Sequence, residues 1–126
     1  MKSIIVFVYG TLRAGQSNHS IIAPHILRPI GEGQIQGRMY HWGGFPAVTL
    51  EKPGIVYGEW YEIKASGLPA LDRLEGYPTL YNRSVVSDVS GQVQGIVYHM
   101  PDAKASRHAR GIVRSGDWVM RETVGV

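Results

Sequence analysis

The sequence predicts an α+β fold, a mixed β-barrel of about six strands flanked by one or two short helices. Short apolar runs, separated by 16 glycines and seven prolines, favour strands over long helices. Three of these runs place a glycine three residues before a tyrosine. Glycine normally weakens a strand, so its recurrence indicates the sharp bends or close backbone contacts that curl a sheet into a barrel. Chance glycines in ordinary strands are the alternative interpretation.

The strand pattern recurs along most of the chain. Residues 4–9 are apolar throughout and lead into a turn at Gly10 and Thr11. Some later segments share the spacing of a glycine three residues before a tyrosine, and one follows a Gly-Gly-Phe-Pro turn. In another, apolar and polar side chains alternate, as they do on the two faces of a strand. These predicted strands are residues 35–40, 47–50, 56–61, 83–89 and 93–98.

A short helix is predicted over residues 67–75, with Ser66 as the N-cap and Gly76 as the stop. Leucines recur on one face of this helix. Glu75 stands seven residues after Leu68, which places it close to the same face. The pattern therefore aims a carboxyl group towards the interior.

Glu75 is the sharpest candidate for chemistry. Burial disfavours the charged form of a carboxyl group, and the negative end of the helix adds to this effect, so we expect a raised pKa. A carboxyl group that titrates near neutral pH is a good proton shuttle. The structural alternative is that Glu75 reaches solvent at the helix end or pairs with Arg73 or Arg83.

Two further features suggest a small-molecule site. The first strand ends in a turn formed by Tyr9, Gly10, Thr11 and Leu12. Glycine lets a ligand approach the backbone there, and successive amides at a strand end can hold a carboxylate or an oxyanion. Tyr81 follows Glu75 by six residues and has a hydroxyl to offer in the same pocket. Each feature alone also has a purely structural interpretation. Residues 9–12 can be an ordinary turn at a strand end, and Tyr81 can be a tyrosine that packs in the core.

Length and composition fit one domain that spans residues 1–126. No apolar run approaches the roughly 20 residues that cross a bilayer, and the first strand lacks the h-region and cleavage site of a signal peptide. We therefore expect a cytoplasmic protein without a membrane segment. The absence of cysteine excludes disulfides, thiolate metal sites and a cysteine nucleophile.

The sequence predicts neither a metal ion nor a cofactor. The five histidines form no helical pair and no close cluster, and the motifs of phosphate-binding loops, dinucleotide folds and serine hydrolases are missing. The net charge of +3 comes from scattered Lys and Arg, so nucleic-acid binding is not expected. Only Arg107, Arg110 and Arg114 have the spacing of a helical face, either as a solvated surface or as an anion contact.

The segment after Pro101 carries no clear pattern until Trp118, Val119 and Met120. We expect it to cross the surface and to dock through this apolar trio. A frayed tail is the equal alternative.

Two ordered motifs give the chain a family resemblance. The first is Val8-Tyr9-Gly10-Thr11-Leu12-Arg13, followed by Gly15 and Asn18, and the second is Leu71-Asp72-Arg73-Leu74-Glu75-Gly76-Tyr77-Pro78, followed by Tyr81 and Arg83. Together they resemble the γ-glutamylcyclotransferase family, and the AIG2-like and γ-glutamylamine cyclotransferase branch is the most similar. The resemblance extends to about Met100.

The resemblance implies a metal-independent enzyme built on a β-barrel flanked by helices. Its small-molecule substrate would be a γ-glutamyl amine or γ-glutamyl amino acid, which cyclises to 5-oxoproline and releases the free amine. Glu75 would be the general acid and base, residues 9–12 would hold the glutamyl group, and Tyr81 would line the cavity. Two alternatives remain: a non-catalytic barrel that binds a small carboxylate ligand, and an interaction protein that uses the basic residues. The sequence predicts no oligomeric state.

Overall fold

The structure is a computed structural model that describes residues 2–120. Within this range the chain has a mixed α+β fold. The strands are β1 (Ser3–Val8), β2 (Ile26–Gln36), β3 (Arg38–His41), β4 (Pro46–Thr49), β5 (Ile55–Lys64), β6 (Asn82–Ser87), β7 (Gln94–His99) and β8 (Gly111–Ile112). The helices are α1 (His19–Ile22), α2 (Leu68–Glu75) and α3 (Asp102–Arg107), with 3₁₀ turns at Ala23–His25 and Ala65–Gly67.

The strands form two sheets. Five strands lie in the order β2-β5-β1-β7-β6, and three lie in the order β4-β3-β8. The first strand is central in the larger sheet, antiparallel to β5 and parallel to β7. Its burial increases along the strand, and it is buried from Val6 onward. The chain therefore delivers the turn after β1 into the interior.

The predicted β-barrel is not closed. Within the described residues no ladder joins β2 to β6, so the five-stranded sheet stays open. These two edges approach near Gln34, whose carbonyl accepts the amide of Val89 over 2.7 Å and whose amide donates to a carboxylate oxygen of Asp88 over 2.8 Å. A barrel needs a continuous register of backbone hydrogen bonds, and here a side chain takes the place of a backbone partner.

The prediction of about six strands missed β8 and most of β2. Pro29 and Gly31 interrupt the strand pattern of β2, and the pairing with β5 shifts register at this point. Proline is tolerated because β2 is an edge strand. The predicted strand over residues 35–40 is divided at Gly37 between β2 and β3.

Two of the recurring glycines make the close backbone contacts that the sequence predicted. A Cβ atom on Gly58 would collide with the carbonyl oxygen of Val8, and a Cβ atom on Gly95 would collide with that of Ile5. Both glycines therefore allow β5 and β7 to pack closely around β1.

Helix α2 ends where the sequence predicted. Gly76 has a φ of 64° in the left-handed region, and its amide donates to the carbonyl of Arg73 over 3.3 Å. The start differs slightly, because Gly67 rather than Ser66 is the N-cap residue and no side chain caps the helix. The bounds of α2 leave Glu75 as its last residue.

The segment after Pro101 is more regular than its sequence suggested, since it contains α3 and β8. Helix α3 ends at Arg107, so Arg110 and Arg114 do not continue its face. Of the apolar trio, Trp118 is buried, whereas Val119 and Met120 are exposed. The alternative of a frayed tail is not tested beyond residue 120, because residues 121–126 lie outside the described residues.

No helix among residues 2–120 has the length and apolar character needed to span a membrane.

Candidate active site

A cavity of about 360 Å³ lies where β1 ends. Its walls come from the end of β1 and the following turn, the β3–β4 hairpin, the end of α2 and the loop that leads into β6. The predicted site residues that line it are Tyr9, Gly10, Thr11, Leu12, Glu75 and Tyr81. The fold thus brings together two motifs that are more than sixty residues apart in the sequence.

Glu75 lines this cavity without a partner. No hydrogen bond or ion pair with another residue in the range 2–120 reaches its carboxyl group, and burial raises its pKa to about 7. Arg83, considered above as a partner, instead binds Asp72, with Nη1 3.2 Å from both carboxylate oxygens. Arg73 is exposed. The carboxyl group is therefore tuned by desolvation rather than by a neighbouring charge.

The turn after β1 is fixed by short-range contacts. A Cβ atom added to Gly10 would lie 2.7 Å from Cγ of Pro46, so only glycine fits against this proline. Asn18 makes two hydrogen bonds to Thr11, each 2.9 Å long. Its backbone amide donates to the Thr11 carbonyl, and its Nδ2 donates to the Thr11 hydroxyl. His19 Nδ1 lies 2.8 Å from the carbonyl oxygen of Leu12. These contacts hold the backbone at the cavity wall.

The amides of Gly10, Thr11 and Leu12 donate to no acceptor in the described part of the chain. Buried backbone donors are normally satisfied, so these amides are suited to an acceptor supplied by a ligand. Successive free amides at a strand end form the kind of concave donor set that binds a carboxylate or an oxyanion. The free amides fit the anion site that the sequence predicts at this turn, and that role stays a prediction.

The tyrosine hydroxyls of the cavity are already used as donors. Tyr81 donates to the carbonyl of Pro46 over 2.7 Å, Tyr9 to the carbonyl of Tyr98 over 2.6 Å, and Tyr98 to Asp72 over 2.7 Å. Burial, followed by the charge of Glu75, raises the pKa of Tyr81. Since its hydrogen is committed, the Tyr81 oxygen is available to a ligand as an acceptor.

Several residues that line the cavity were not predicted from the sequence. Phe45 and Pro46 come from the β3–β4 hairpin, Leu80 from the loop after α2, and Tyr98 from β7. The spacing of Gly95 before Tyr98 was a signal of close packing, but it did not indicate which face the tyrosine occupies. The cavity wall contains no Lys, Arg or His among the described residues, and within the same range no group of three His, Asp or Glu side chains could hold a metal ion.

Residues 6–120 match the family model described as gamma-glutamyl cyclotransferase, AIG2-like. The chain belongs to the γ-glutamylcyclotransferase family. A Vibrio cholerae protein that bears the family's name is 32% identical over 117 residues, which cover 93% of this chain and 96% of that protein.

Two mammalian proteins extend this similarity. The γ-glutamylaminecyclotransferase of Bos taurus is 32% identical, and the matched region covers 74% of this chain and 63% of the cattle protein. The crystal structure of a mouse AIG2-like protein has a TM-score of 0.79 at 26% identity and covers 100% of this chain and 95% of the mouse chain. Family membership supports a cyclotransferase activity.

Replacing Glu75 by Gln is expected to change how stability depends on pH. The folded-state pKa of Glu75 is raised to about 7, whereas an unfolded chain titrates near about 4.3. The folded wild type binds the extra proton between these values, so its free energy of unfolding falls as pH rises through this window. Thermal unfolding at pH 5 and pH 8 should therefore show Glu75→Gln gaining up to about 3 kcal/mol on the wild type at the higher pH.

Glu62→Gln is the matched control for this prediction. The exposed Glu62 carboxyl has a pKa lowered by the hydroxyl of Ser3 and by Arg28, so its replacement should bring no gain at pH 8. Identical pH dependence of Glu75→Gln and the wild type would mean that Glu75 is solvated in the folded protein.

Proposed function

We propose that this protein cyclises γ-glutamyl amines to 5-oxoproline and releases the free amine, with Glu75 as the general acid and base. The main support is the unpaired carboxyl group of Glu75, because burial raises its pKa to about 7. This group lies in the same cavity as the free amides of residues 10–12. A group that titrates near neutral pH can both accept a proton and return it. Similarity to proteins named for this activity supports the same reaction.

The reaction needs no nucleophile from the protein, because the substrate supplies its own. The α-amine of the glutamyl group attacks the side-chain carbonyl carbon, a new C–N bond closes the five-membered ring, and the original amide C–N bond breaks. Two protons leave the α-ammonium group as it becomes the ring N–H, and two reach the departing nitrogen, which leaves as an ammonium ion. Glu75 transfers these protons one at a time and ends the cycle in its starting protonation state.

The turn and Tyr81 would orient the glutamyl group for this attack. The free amides of Gly10, Thr11 and Leu12 suit the substrate's α-carboxylate or the oxyanion that forms at its carbonyl. The Tyr81 oxygen, which is left as an acceptor, suits the α-ammonium group. Holding the chain in a folded conformation contributes strongly, since oriented intramolecular reactions reach effective molarities of about 10⁵ M or more.

The cavity wall favours an amine over an amino acid as the leaving group. A γ-glutamyl amino acid would bring a second carboxylate close to the scissile bond, and the cavity wall offers no cation to pair with it. Phe45, Leu74 and Leu80 instead present apolar surface, and Phe45 is 37% exposed, which places it at the mouth. Lys104 is already engaged, since its ammonium group donates to the carbonyls of Thr79 and Leu80. The name of the cattle relative agrees with an amine substrate.

Turnover should depend on Glu75. Wild type, Glu75→Gln and the remote control Glu62→Gln are incubated with γ-glutamyl amines and γ-glutamyl amino acids, and 5-oxoproline is measured by mass spectrometry. We expect Glu75→Gln to lower kcat/KM by about 10²- to 10⁴-fold, because the neutral amide carries no proton between the two nitrogens. For the wild type, kcat/KM should rise with pH through the region near 7, as the basic form of Glu75 accumulates.

Either of two results would contradict this assignment. Wild-type turnover by a folded Glu75→Gln variant would remove Glu75 from the mechanism. Saturable binding of a γ-glutamyl compound without any 5-oxoproline would favour the non-catalytic binding protein of the same fold.

The preference for amines is tested with a matched pair of substrates. γ-Glutamyl-phenethylamine and γ-glutamyl-phenylalanine differ only in the carboxylate of the leaving group. We expect kcat/KM to be about 100-fold higher for the amine, because the amino acid must bring an unpaired charge into the cavity. Equal rates, or faster turnover of the amino acid, would overturn the leaving-group preference and leave the role of Glu75 standing.

A further inference from the structure

Arg13, the residue that follows the cavity turn, is a buried cation held by two carboxylates. Its side chain is 9% exposed. Its Nε lies 3.0 Å from a carboxylate oxygen of Glu59 on β5, and its Nη1 lies 2.7 Å from one of Asp117. Asp117 is more than one hundred residues further along the chain. One guanidinium group therefore joins the first turn, strand β5 and the C-terminal segment.

The network also fixes the backbone on both sides of Arg13. The Arg13 amide donates to the carbonyl of Gly10 over 3.1 Å and closes the turn. The second carboxylate oxygen of Glu59 accepts the amide of Ala14 over 2.9 Å and the hydroxyl of Tyr61 over 2.7 Å. A shift of the guanidinium group would thus be transmitted directly to the turn.

Asp117 is itself rigidly placed. Gly116 accepts the amide of Tyr57 over 2.8 Å, and a Cβ atom on Gly116 would collide with the carbonyl oxygen of Ile55, so this segment lies tightly against β5. Trp118, which follows Asp117, is 1% exposed. The C-terminal segment therefore presents its carboxylate to Arg13 from a fixed position.

Both acids contribute to holding the Arg13 charge. Burial alone would lower the pKa of Arg13, but hydrogen bonds with Glu59 and Asp117 outweigh it and raise the pKa, so the group stays charged. Removing one partner of a buried ion pair is strongly destabilising because it leaves a charge without compensation. Neither Arg13 nor Asp117 lines the substrate cavity, and both instead border a separate cavity of about 190 Å³. Asp117 therefore reaches the substrate cavity through Arg13 and the turn, while its Oδ1 also accepts the amides of Val119 and Met120 in the C-terminal segment.

We infer that Asp117 is a positioning residue that acts through Arg13 to hold the amides of residues 10–12 in the geometry that receives the glutamyl group. The identity of this ligand rests on the proposed function, but the mechanical link does not. The C-terminal segment, in which the sequence showed no motif, thereby helps to position the turn.

The test compares Asp117→Ala and Asp117→Asn with the control Glu62→Ala, which removes a carboxylate from the exposed pair that Glu62 forms with Arg28. The first readout is amide hydrogen exchange of residues 10–14, followed by NMR. We expect Asp117→Ala to accelerate exchange at Arg13 and Ala14 about tenfold or more, and the control to leave it unchanged.

The second readout is steady-state kinetics with the best γ-glutamyl substrate. We expect Asp117→Ala to raise KM about tenfold or more and to change kcat less than about threefold, because the turn binds substrate whereas Glu75 is untouched. Asp117→Asn keeps an oxygen acceptor for Arg13 and should restore most of the wild-type KM. This rescue separates positioning from a general loss of stability, and it supplies a second variant if the alanine variant does not fold.

The outcomes distinguish this inference from the proposed function. If wild type turns over no γ-glutamyl substrate, the proposed function fails and the exchange rates alone decide whether Asp117 holds the turn. A lower Tm with unchanged exchange at residues 10–14 and unchanged KM would reduce Asp117 to a structural residue and overturn the inference.

Discussion

The site depends on keeping one half-buried carboxyl group largely out of bulk water and unpaired with any cation of the described residues. Transfer of a charged group out of water is costly, so a buried carboxyl group without a partner holds its proton up to a higher pH. Glu75 meets this condition because α2 ends directly after it, and the loop beyond Gly76 returns Leu80 and Tyr81 to the same cavity. A local feature of the chain, a glycine that stops a helix, therefore positions the group proposed to carry protons, and burial raises the pKa of that group.

The cations near the site are held by other partners, which protects this acidity. Arg83 binds Asp72, and Arg13 binds Glu59 and Asp117. An arginine beside Glu75 would favour its charged form and return the pKa towards the ordinary value. These ion pairs therefore do more than stabilise the fold. They also keep positive charge out of the cavity in which Glu75 is proposed to accept and release protons.

What the sequence predicted well was local. The end of β1, the turn over residues 9–12 and the stop of α2 at Gly76 all follow from neighbouring residues, and so does the inward direction of Glu75. The family resemblance then joined the two motifs into one site, and the structure places both at one cavity.

What the sequence did not predict depends on long-range pairing. Whether the sheet closes is decided where β2 meets the end of the β6 strand, and there Asp88 supplies a side-chain acceptor in place of a strand partner. The contact between Arg13 and Asp117 joins distant segments and follows no periodic pattern, so spacing gave no sign of it. The helical face considered for Arg107, Arg110 and Arg114 required a continuous helix, but α3 ends at Arg107.

The most direct measurement for this account is the pKa of Glu75 itself. The side-chain carboxyl carbon of Glu75 is followed by NMR in ¹³C-labelled protein while pH is varied, and Glu75→Gln identifies the resonance. The account predicts titration near pH 7 in the free protein, as burial of an unpaired carboxyl group requires. Titration near about 4.3, the value of a solvated glutamate, would contradict the central claim, because Glu75 would then be neither desolvated nor tuned for proton transfer at neutral pH.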